Sequence, residues 1–338
     1  MISRRRVGVA SAVVAGGLAV AGLLGLATGP APLGPGDVAA ALVGRPRSDL
    51  AATVVLELRL PRVLLAALAG SGLAVAGAAF QALTRNPLAD PAVLGVAGGA
   101  ALGAVLGHLW GLEGSLAATV GVSAAAFAGA LIASITVYLI AASGGWLPVQ
   151  TLLLAGVITG LFFSAVITLV VSLVDFAQLG GILHWLMGSL GIVGYRAVGV
   201  IAVGAAVGSA MVYAQARALN LLALGEESAL QLGVEAERVK RIVFVAASLL
   251  TGVIVAQTGP IGFVGLIVPH GVRLALGADN RLLLPVAAGA GAAFLVLADA
   301  LARLVVQPAE LPVGVVTAFC GAPFFVYLLR TRLRPRTP

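Results

Sequence analysis

Few side chains in this chain could do chemistry, and their spacing excludes most kinds of catalytic site. Lys240, the one lysine, has no glycine-rich loop before it, so the chain contains no nucleotide-binding P-loop. Asp299 is the acid placed most clearly within an apolar run, where a carboxylate could relay protons. Arg303 follows one helical turn later, and a local ion pair is the simpler interpretation. The histidines are far apart on different predicted segments, which predicts no metal site; they are His108, His184 and His270.

A polar stretch from Asn220 to Arg241 holds the lysine and four acids and lies between two apolar runs. Gly225 can start a short helix there and Gly233 can end it, with an acid pair in the first turn, where the helix dipole favours negative charge. A second helix start is predicted at Glu235. A solvated loop is the alternative, but an apolar stripe favours contact with another protein. The stripe consists of Leu224, Ala229, Leu230 and Leu232.

The composition predicts a polytopic, all-α membrane protein, because 60% of the residues are hydrophobic and only 10% are charged. The net charge of +7 comes from basic residues scattered between apolar runs, which are topology signals and not a nucleic-acid site. The one cysteine, Cys320, allows no disulfide within the chain. Its place inside the last apolar run predicts a small core residue.

Ten apolar runs reach or approach the 20 or so residues that span a bilayer core. The seventh and eighth runs are short and are separated by Gly259 and Pro260, so we treat them as two helices. The runs are Val7 to Ala27, Val63 to Leu83, Val93 to Trp110, Leu116 to Ala142, Leu152 to Val174, Val198 to Tyr213, Ile242 to Ala256, Ile261 to Leu276, Leu282 to Leu301 and Val313 to Leu329.

An even number of spans places both termini on one side of the membrane. The loops on that side hold most of the arginines and the lysine, so the positive-inside rule assigns it, with the 220–241 stretch, to the cytoplasm. The three arginines before the first run could instead begin a cleaved secretory signal. Because Val7 to Ala27 is long enough to span by itself, we expect a retained first helix.

Small residues spaced four apart predict close helix packing in lipid, on the second run at Gly70, Ala74 and Ala78 and on the third at Gly99, Gly103 and Gly107. Two helix breaks also resemble each other, although five helices separate them. Such a pair is typical of an inverted repeat. The breaks are Asn86-Pro87-Leu88 and Gly259-Pro260-Ile261.

Six segments then follow one another along nearly the whole chain: RLPR at 59–62, QALTRNPLADP at 81–91, LALGEESALQLG at 222–233, GFVGLIVPH at 262–270, ADALAR at 298–303 and ELPVGVVT at 310–317. As a set they resemble the FecCD-type permeases of type II ABC importers, which carry ferric siderophores, haem or cobalamin. The resemblance implies one transmembrane permease domain of ten helices over residues 1–338, with an inverted repeat, in a bacterial cytoplasmic membrane.

The resemblance also implies the partners. These are a second copy of the permease or a similar permease, two cytoplasmic ABC ATPase subunits and an extracytoplasmic substrate-binding protein. ATP and magnesium would bind to the ATPases, so we expect no catalysis and no cofactor on this chain. By resemblance, the polar helix becomes the coupling helix seated in a groove of the ATPase. Its residues would be Leu224, Gly225, Glu226, Glu227, Ser228, Ala229, Leu232 and Gly233.

Two further sets of residues acquire roles only by resemblance. Arg59 and Arg303 match family arginines at an exposed outer rim, which receive carboxylates from the two lobes of the binding protein. Without the resemblance, Arg59 is an interfacial anchor and Arg303 the partner of Asp299. Cytoplasmic gate positions fall on Asn86, Leu88, Val149 and Gln150. The cobalamin importer has small hydroxyl residues at the second pair, so this chain departs from it there.

The sequence therefore predicts the permease subunit of an ATP-driven importer for ferric siderophores, with cobalamin or haem as alternatives. A proton- or sodium-coupled secondary transporter would need titratable groups near the midplane of the membrane, where the chain offers only Asp299. A membrane-embedded enzyme would need a cluster of histidine, acid or serine side chains that the sequence does not provide.

Overall fold

The computed structural model describes residues 4–31, 33–110, 116–191, 194–306 and 309–333, and these ranges are almost entirely helical. A π-helical segment, Thr53–Arg59, and a 3-10 turn, Pro91–Leu94, accompany the α-helices. The α-helices are α1 Arg4–Ala27, α2 Pro35–Leu42, α3 Asp49–Ala52, α4 Leu60–Thr84, α5 Val96–Leu109, α6 Leu116–Ala141, α7 Val149–Leu173, α8 Phe176–Leu186, α9 Tyr195–Ala214, α10 Ala216–Leu222, α11 Glu226–Gln231, α12 Ala236–Thr258, α13 Val264–Leu276, α14 Asn280–Ala302 and α15 Val313–Leu333.

Ten of these segments correspond to the ten predicted spans. Seven are long and apolar enough to cross a bilayer unaided, and α5, α13 and α15 supply three shorter apolar helices. The break between α12 and α13 confirms that the seventh and eighth runs are separate helices. The second span differs from the prediction, because α3, the π-helical segment and α4 form one continuous helical segment, Asp49–Thr84. The chain is a multi-pass membrane protein.

Helix α4 forms the centre of the bundle and packs against α9, α12, α13 and α14. Most residues of α4 and α12 are buried, whereas α1 and α7 expose most of their apolar side chains. Apolar side chains need no burial against protein where lipid surrounds a helix, so the exposed faces are consistent with a bilayer. The described ranges therefore form a buried central group of helices and an outer group whose apolar faces are exposed in the single chain.

Glycine allows the central helices to approach each other closely. A Cβ atom on Gly77 of α4 would overlap the carbonyl oxygen of Gly265 on α13, and one on Gly70 would overlap that of Gly291 on α14. The same holds on α5, where Gly99 and Gly103 approach the backbone of α6. The predicted small-residue faces are therefore packing faces.

We expect Gly77→Ala to destabilise the protein by about 1–3 kcal/mol, because the added methyl group must push α4 and α13 apart. Thermal unfolding of the purified protein in detergent measures the change. Gly199→Ala on α9 is the matched control, since nothing lies within 4 Å of a Cβ built at Gly199. An equal loss of stability in both variants would contradict the close packing of α4 on α13.

Two sets of four consecutive helices, α4 to α7 and α12 to α15, form two halves of the bundle with similar helix lengths in the same order. Helices α4 to α7 have 25, 14, 26 and 25 residues, and α12 to α15 have 23, 13, 23 and 21. Arg85 after α4 and Lys240 near the start of α12 both contact Glu226, so the first helices of the two halves run in opposite directions. A non-glycine residue with positive φ lies next to each predicted break, Arg85 (51°) directly before the first and Phe263 (68°) two residues after the second. These features support an inverted repeat.

Cys320 corrects one prediction, because its side chain is exposed and does not lie in the core. Helix α15 packs against α13 and α14 through one side, where Gly321 faces the ring of Phe263. Cys320 and Phe319 lie on the exposed side of α15. An apolar run in a membrane helix does not reveal which of its faces meets protein.

Candidate functional site

Helix α11 begins and ends where the sequence predicts. Gly225 precedes it with φ +117°, a conformation that side-chain-bearing residues rarely adopt. After its last turn, Gly233 (φ +81°) donates its N–H to the carbonyl of Leu230, and Val234 donates to that of Ala229. These two bonds form a Schellman motif. The second predicted start is also confirmed, because Glu235 occupies the N-cap of α12.

The predicted apolar stripe of α11 divides between two sides. Ala229 is fully buried against the rest of the chain, whereas Leu224, Leu230 and Leu232 are each exposed by 60% or more. An open groove of about 880 Å³ is lined by Leu230, by Trp146 and by charged side chains of α11 and α12. Exposed leucines on an otherwise polar end of a bundle are typical of a protein contact surface.

Asn220 connects the region before α11 to the start of α14. Its side chain donates to Asp279 over 2.7 Å and accepts from the backbone and side chain of Asn280. Hydrogen bonds from Arg281 and Asn220 hold the pKa of the Asp279 carboxyl well below its usual range. Helix α10, which leads into α11, is thereby fixed to the bundle.

The four predicted gate residues lie on two separate chain segments near α11. Asn86 accepts a hydrogen bond from the backbone of Leu88 in a tight turn directly after Arg85. Val149 and Gln150 begin α7 and, together with Arg85, line a cavity of about 320 Å³. The structure therefore brings both segments to the same region, and their role as a gate stays a prediction.

Lys240 lies among these elements and was not predicted as a site residue. Only 4% of its side chain is exposed. Its ammonium group donates to Glu226 over 2.8 Å, to Glu237 over 2.6 Å and to the carbonyl of Leu147 over 3.3 Å. A signal was present in the sequence, since Glu237 precedes Lys240 by three residues on a helix. We call the end of the bundle that holds Lys240 and α11 the α11 end.

At the opposite end, Arg59 and Arg303 are buried and cap the C-terminus of α1. Arg59 donates to the carbonyls of Leu26, Ala27 and Ala31, and Arg303 donates to those of Gly25 and Thr28. The last carbonyls of a helix lack partners within it, which explains why two arginines gather there. The expectation that both guanidinium groups lie exposed on a rim is therefore wrong for this chain. Their docking role stays a prediction.

Asp299 is held by two arginines at this end, which we call the Arg62 end. Its carboxylate is 1% exposed and lies 3.0 Å from Arg303, so the predicted local ion pair is confirmed. Arg62, which was not predicted as a partner, lies 2.9 Å from Asp299 and 2.7 Å from Glu310. A buried carboxylate shared by one buried and one largely buried guanidinium group is a structural link and not a free proton carrier.

A family model described as the FecCD transport family matches residues 17–331 of the chain. The chain is 46% identical over 284 residues to the cobalamin import system permease protein BtuC of Halobacterium salinarum, covering 84% of this chain and 75% of the relative. It is 41% identical over 307 residues to the vitamin B12 import system permease protein BtuC of Escherichia coli O17:K52:H18, covering 91% of this chain and 90% of that relative. An uncharacterized ABC transporter permease protein, YvrB of Bacillus subtilis, is 44% identical over 280 residues, which cover 82% of this chain and 78% of YvrB.

Two solved structures share the fold. One is described as an inward-facing conformation of a metal-chelate type ABC transporter and superposes with a TM-score of 0.83 at 29% identity, covering 96% of this chain and 99% of that one. The other, PsaBC from Streptococcus pneumoniae in complex with Fab, has a TM-score of 0.55 at 17% identity, covering 86% of this chain and 94% of that one. The second likeness concerns the fold alone.

Proposed function

This chain belongs to the FecCD transport family, and from that premise we propose that it is the permease subunit that moves cobalamin across the membrane in an ATP-driven importer. As a permease of this family, the chain is a transport component and not an enzyme. Relatives 41% and 46% identical are named for vitamin B12 or cobalamin import, which favours cobalamin over the ferric siderophore that the sequence first suggested. The metal-chelate type transporter of the same fold keeps ferric chelates as the second candidate.

The observation that carries the ATP-driven part of the proposal is α11 with its exposed leucines. A short helix fixed by Gly225 and Gly233 offers a rigid contact surface, and the chain has no P-loop of its own. We propose that two separate ABC ATPase subunits bind this surface and carry the ATP and magnesium. No cofactor on this chain is needed for that role.

The distribution of charge supports an orientation for the proposed importer. Helix α1 ends at the Arg62 end, so its N-terminus with Arg5 and Arg6 lies at the α11 end, as do Arg85 and Lys240. By the positive-inside rule, this distribution supports a cytoplasmic location of the α11 end in a bacterial cell. Both termini would be cytoplasmic, and the Arg62 end would face outward.

We propose that the Arg62 end receives an extracytoplasmic substrate-binding protein. Docking through Arg59 and Arg303 requires that carboxylates of the binding protein replace the α1 carbonyls as hydrogen-bond acceptors. Near this end an apolar groove of about 550 Å³ lies between α8 and α15, lined by Met187, Pro260 and Phe319. A second copy of the permease, or a similar permease, would complete the pathway for the cargo.

Uptake by intact cells tests the cargo. We expect a host strain lacking this gene to lose accumulation of ⁵⁷Co-cyanocobalamin at nanomolar concentration and to regain it when the gene is restored. Uptake of ⁵⁵Fe-siderophore in the same strains is the parallel measurement. Gene-dependent uptake of iron without cobalamin would overturn the cargo assignment in favour of the ferric chelate, and no gene-dependent uptake of either would contradict both.

A further inference from the structure

A continuous series of polar contacts joins four elements at the α11 end. Arg85, after α4, donates to one carboxylate oxygen of Glu226 on α11 over 3.2 Å, and Lys240 on α12 donates to the other over 2.8 Å. Lys240 also donates to Glu237, whose second oxygen accepts the backbone N–H of Leu147 over 2.7 Å. We call this series, Arg85–Glu226–Lys240–Glu237–Leu147, the Lys240 junction.

Lys240 is the central member of the junction, and its hydrogen-bonding capacity is fully used. An ammonium group has three N–H donors, and the three acceptors are Glu226, Glu237 and the carbonyl of Leu147. Burying a lysine costs free energy unless charged partners compensate it. Two carboxylates next to a side chain that is 96% buried supply that compensation.

The two ends of the junction lead directly into the predicted gate segments. Arg85 immediately precedes Asn86, and Leu147 is followed by Pro148 and then Val149 at the start of α7. The turn before Leu147 is fixed as well, because Arg241 of α12 donates to the carbonyl of Gly145 over 3.0 Å. Helix α11 is thus connected to both segments by charged groups, of which Lys240 is buried, Glu226 and Glu237 are partly exposed and Arg85 is exposed.

We propose that Lys240 is a positioning residue that transmits displacement of α11 to the segments at Asn86 and Val149. The inference rests on the proposed function, in which the ATPase moves α11. Charge-assisted hydrogen bonds away from bulk water resist separation more than exposed ones do. When α11 is displaced, α12, the turn at Leu147 and the end of α4 therefore move with it as a unit.

A purely structural role for Lys240 makes a different prediction. If the junction only holds the folded chain together, its loss lowers stability but leaves the amount of cargo moved per ATP unchanged. If the junction transmits movement, ATP hydrolysis continues while the cargo moved per ATP falls. The ratio of cargo transported to ATP hydrolysed therefore separates the two roles.

The test uses the complex that copurifies with the tagged permease from its native host, reconstituted in proteoliposomes with ⁵⁷Co-cyanocobalamin as cargo. We expect Lys240→Met to lower the transport-to-hydrolysis ratio by about tenfold or more, a change within the usual range of coupling between sites. Lys240→Arg, which keeps the charge, is expected to recover part of the ratio. Arg217→Met is the control, because Arg217 is an exposed arginine on α10, at the same end of the bundle, that does not line the groove beside α11.

Arg85→Met is the second variant, and it serves if Lys240→Met does not fold. The Arg85 side chain is 43% exposed, so its loss leaves little buried charge, and methionine keeps a side chain at the strained φ of 51°. We expect this variant to fold normally and to lose part of the ratio. An unchanged ratio in Arg85→Met and in any folded Lys240→Met, or an equal loss in Arg217→Met, would overturn the inference. Absence of ATP-dependent uptake in the wild-type complex would instead contradict the proposed function.

Discussion

Replacing Gly225 with valine is expected to reduce cargo transport about tenfold or more while the permease still folds. Valine is excluded from the backbone conformation at Gly225, with φ +117° and ψ 150°, and forcing it there costs about 1–3 kcal/mol. The first turn of α11 would unwind in response, which moves Glu226 away from Lys240 and changes the direction of the exposed leucines. ATP-dependent uptake and copurification of the ATPase measure the two consequences.

Gly277→Val is the control for this prediction. Gly277 also has a positive φ, +94°, with open space around it, but it lies between α13 and α14 and not on α11. We expect it to lower stability to a similar extent and to leave transport within about twofold of wild type, because comparable local strain alone does not affect coupling. If Gly225→Val transports normally, the role of α11 as the contact for the ATPase is wrong.

Asp299→Ala is expected to destabilise the protein by about 3–5 kcal/mol, because it leaves the buried guanidinium group of Arg303 and the largely buried one of Arg62 without their shared carboxylate. Glu310 remains beside Arg62, but its side chain is 37% exposed and compensates only in part. The caps on α1 would also weaken, since Arg303 holds the carbonyls of Gly25 and Thr28. Thermal unfolding in detergent should show a transition several degrees lower than wild type.

Arg47→Ala is the matched control for Asp299→Ala. Arg47 forms an ion pair with Asp37 over 3.4 Å, but its side chain is 68% exposed. Exposed pairs contribute only about 0–1 kcal/mol, so this variant should unfold nearly as wild type does. Should Asp299→Ala leave the unfolding transition unchanged, the carboxylate is not a structural link. The proton-relay role would then return to consideration.

The sequence was sufficient for the parts of the fold that depend on run length and backbone conformation. A bilayer demands helices of set length, so the ten apolar runs predict the seven long and three shorter apolar helices found in the described ranges. Gly225 and Gly233 predict the limits of α11, because positive φ is costly for other residues. The extension of the second span back to Asp49 was missed, since that segment is less continuously apolar.

Contacts between distant parts of the chain could not be predicted from the sequence. Arg85 and Glu226 are 141 positions apart, and no local pattern indicates that they meet. Arg59 caps carbonyls 28 to 33 positions earlier, so a residue that its sequence motif places on an outer rim lies buried. Cys320 shows the same limit for burial, because which face of a helix meets protein depends on neighbours that one sequence does not identify.

Transport into sealed vesicles tests the central claim most directly. The tagged complex from the native host is reconstituted in proteoliposomes, and accumulation of ⁵⁷Co-cyanocobalamin is followed with and without ATP, with vanadate, and with a protonophore. An ATP-driven importer predicts accumulation that requires ATP, stops with vanadate and is unaffected by the protonophore. Accumulation that proceeds without ATP and collapses with the protonophore would contradict the account and indicate a proton-coupled secondary transporter.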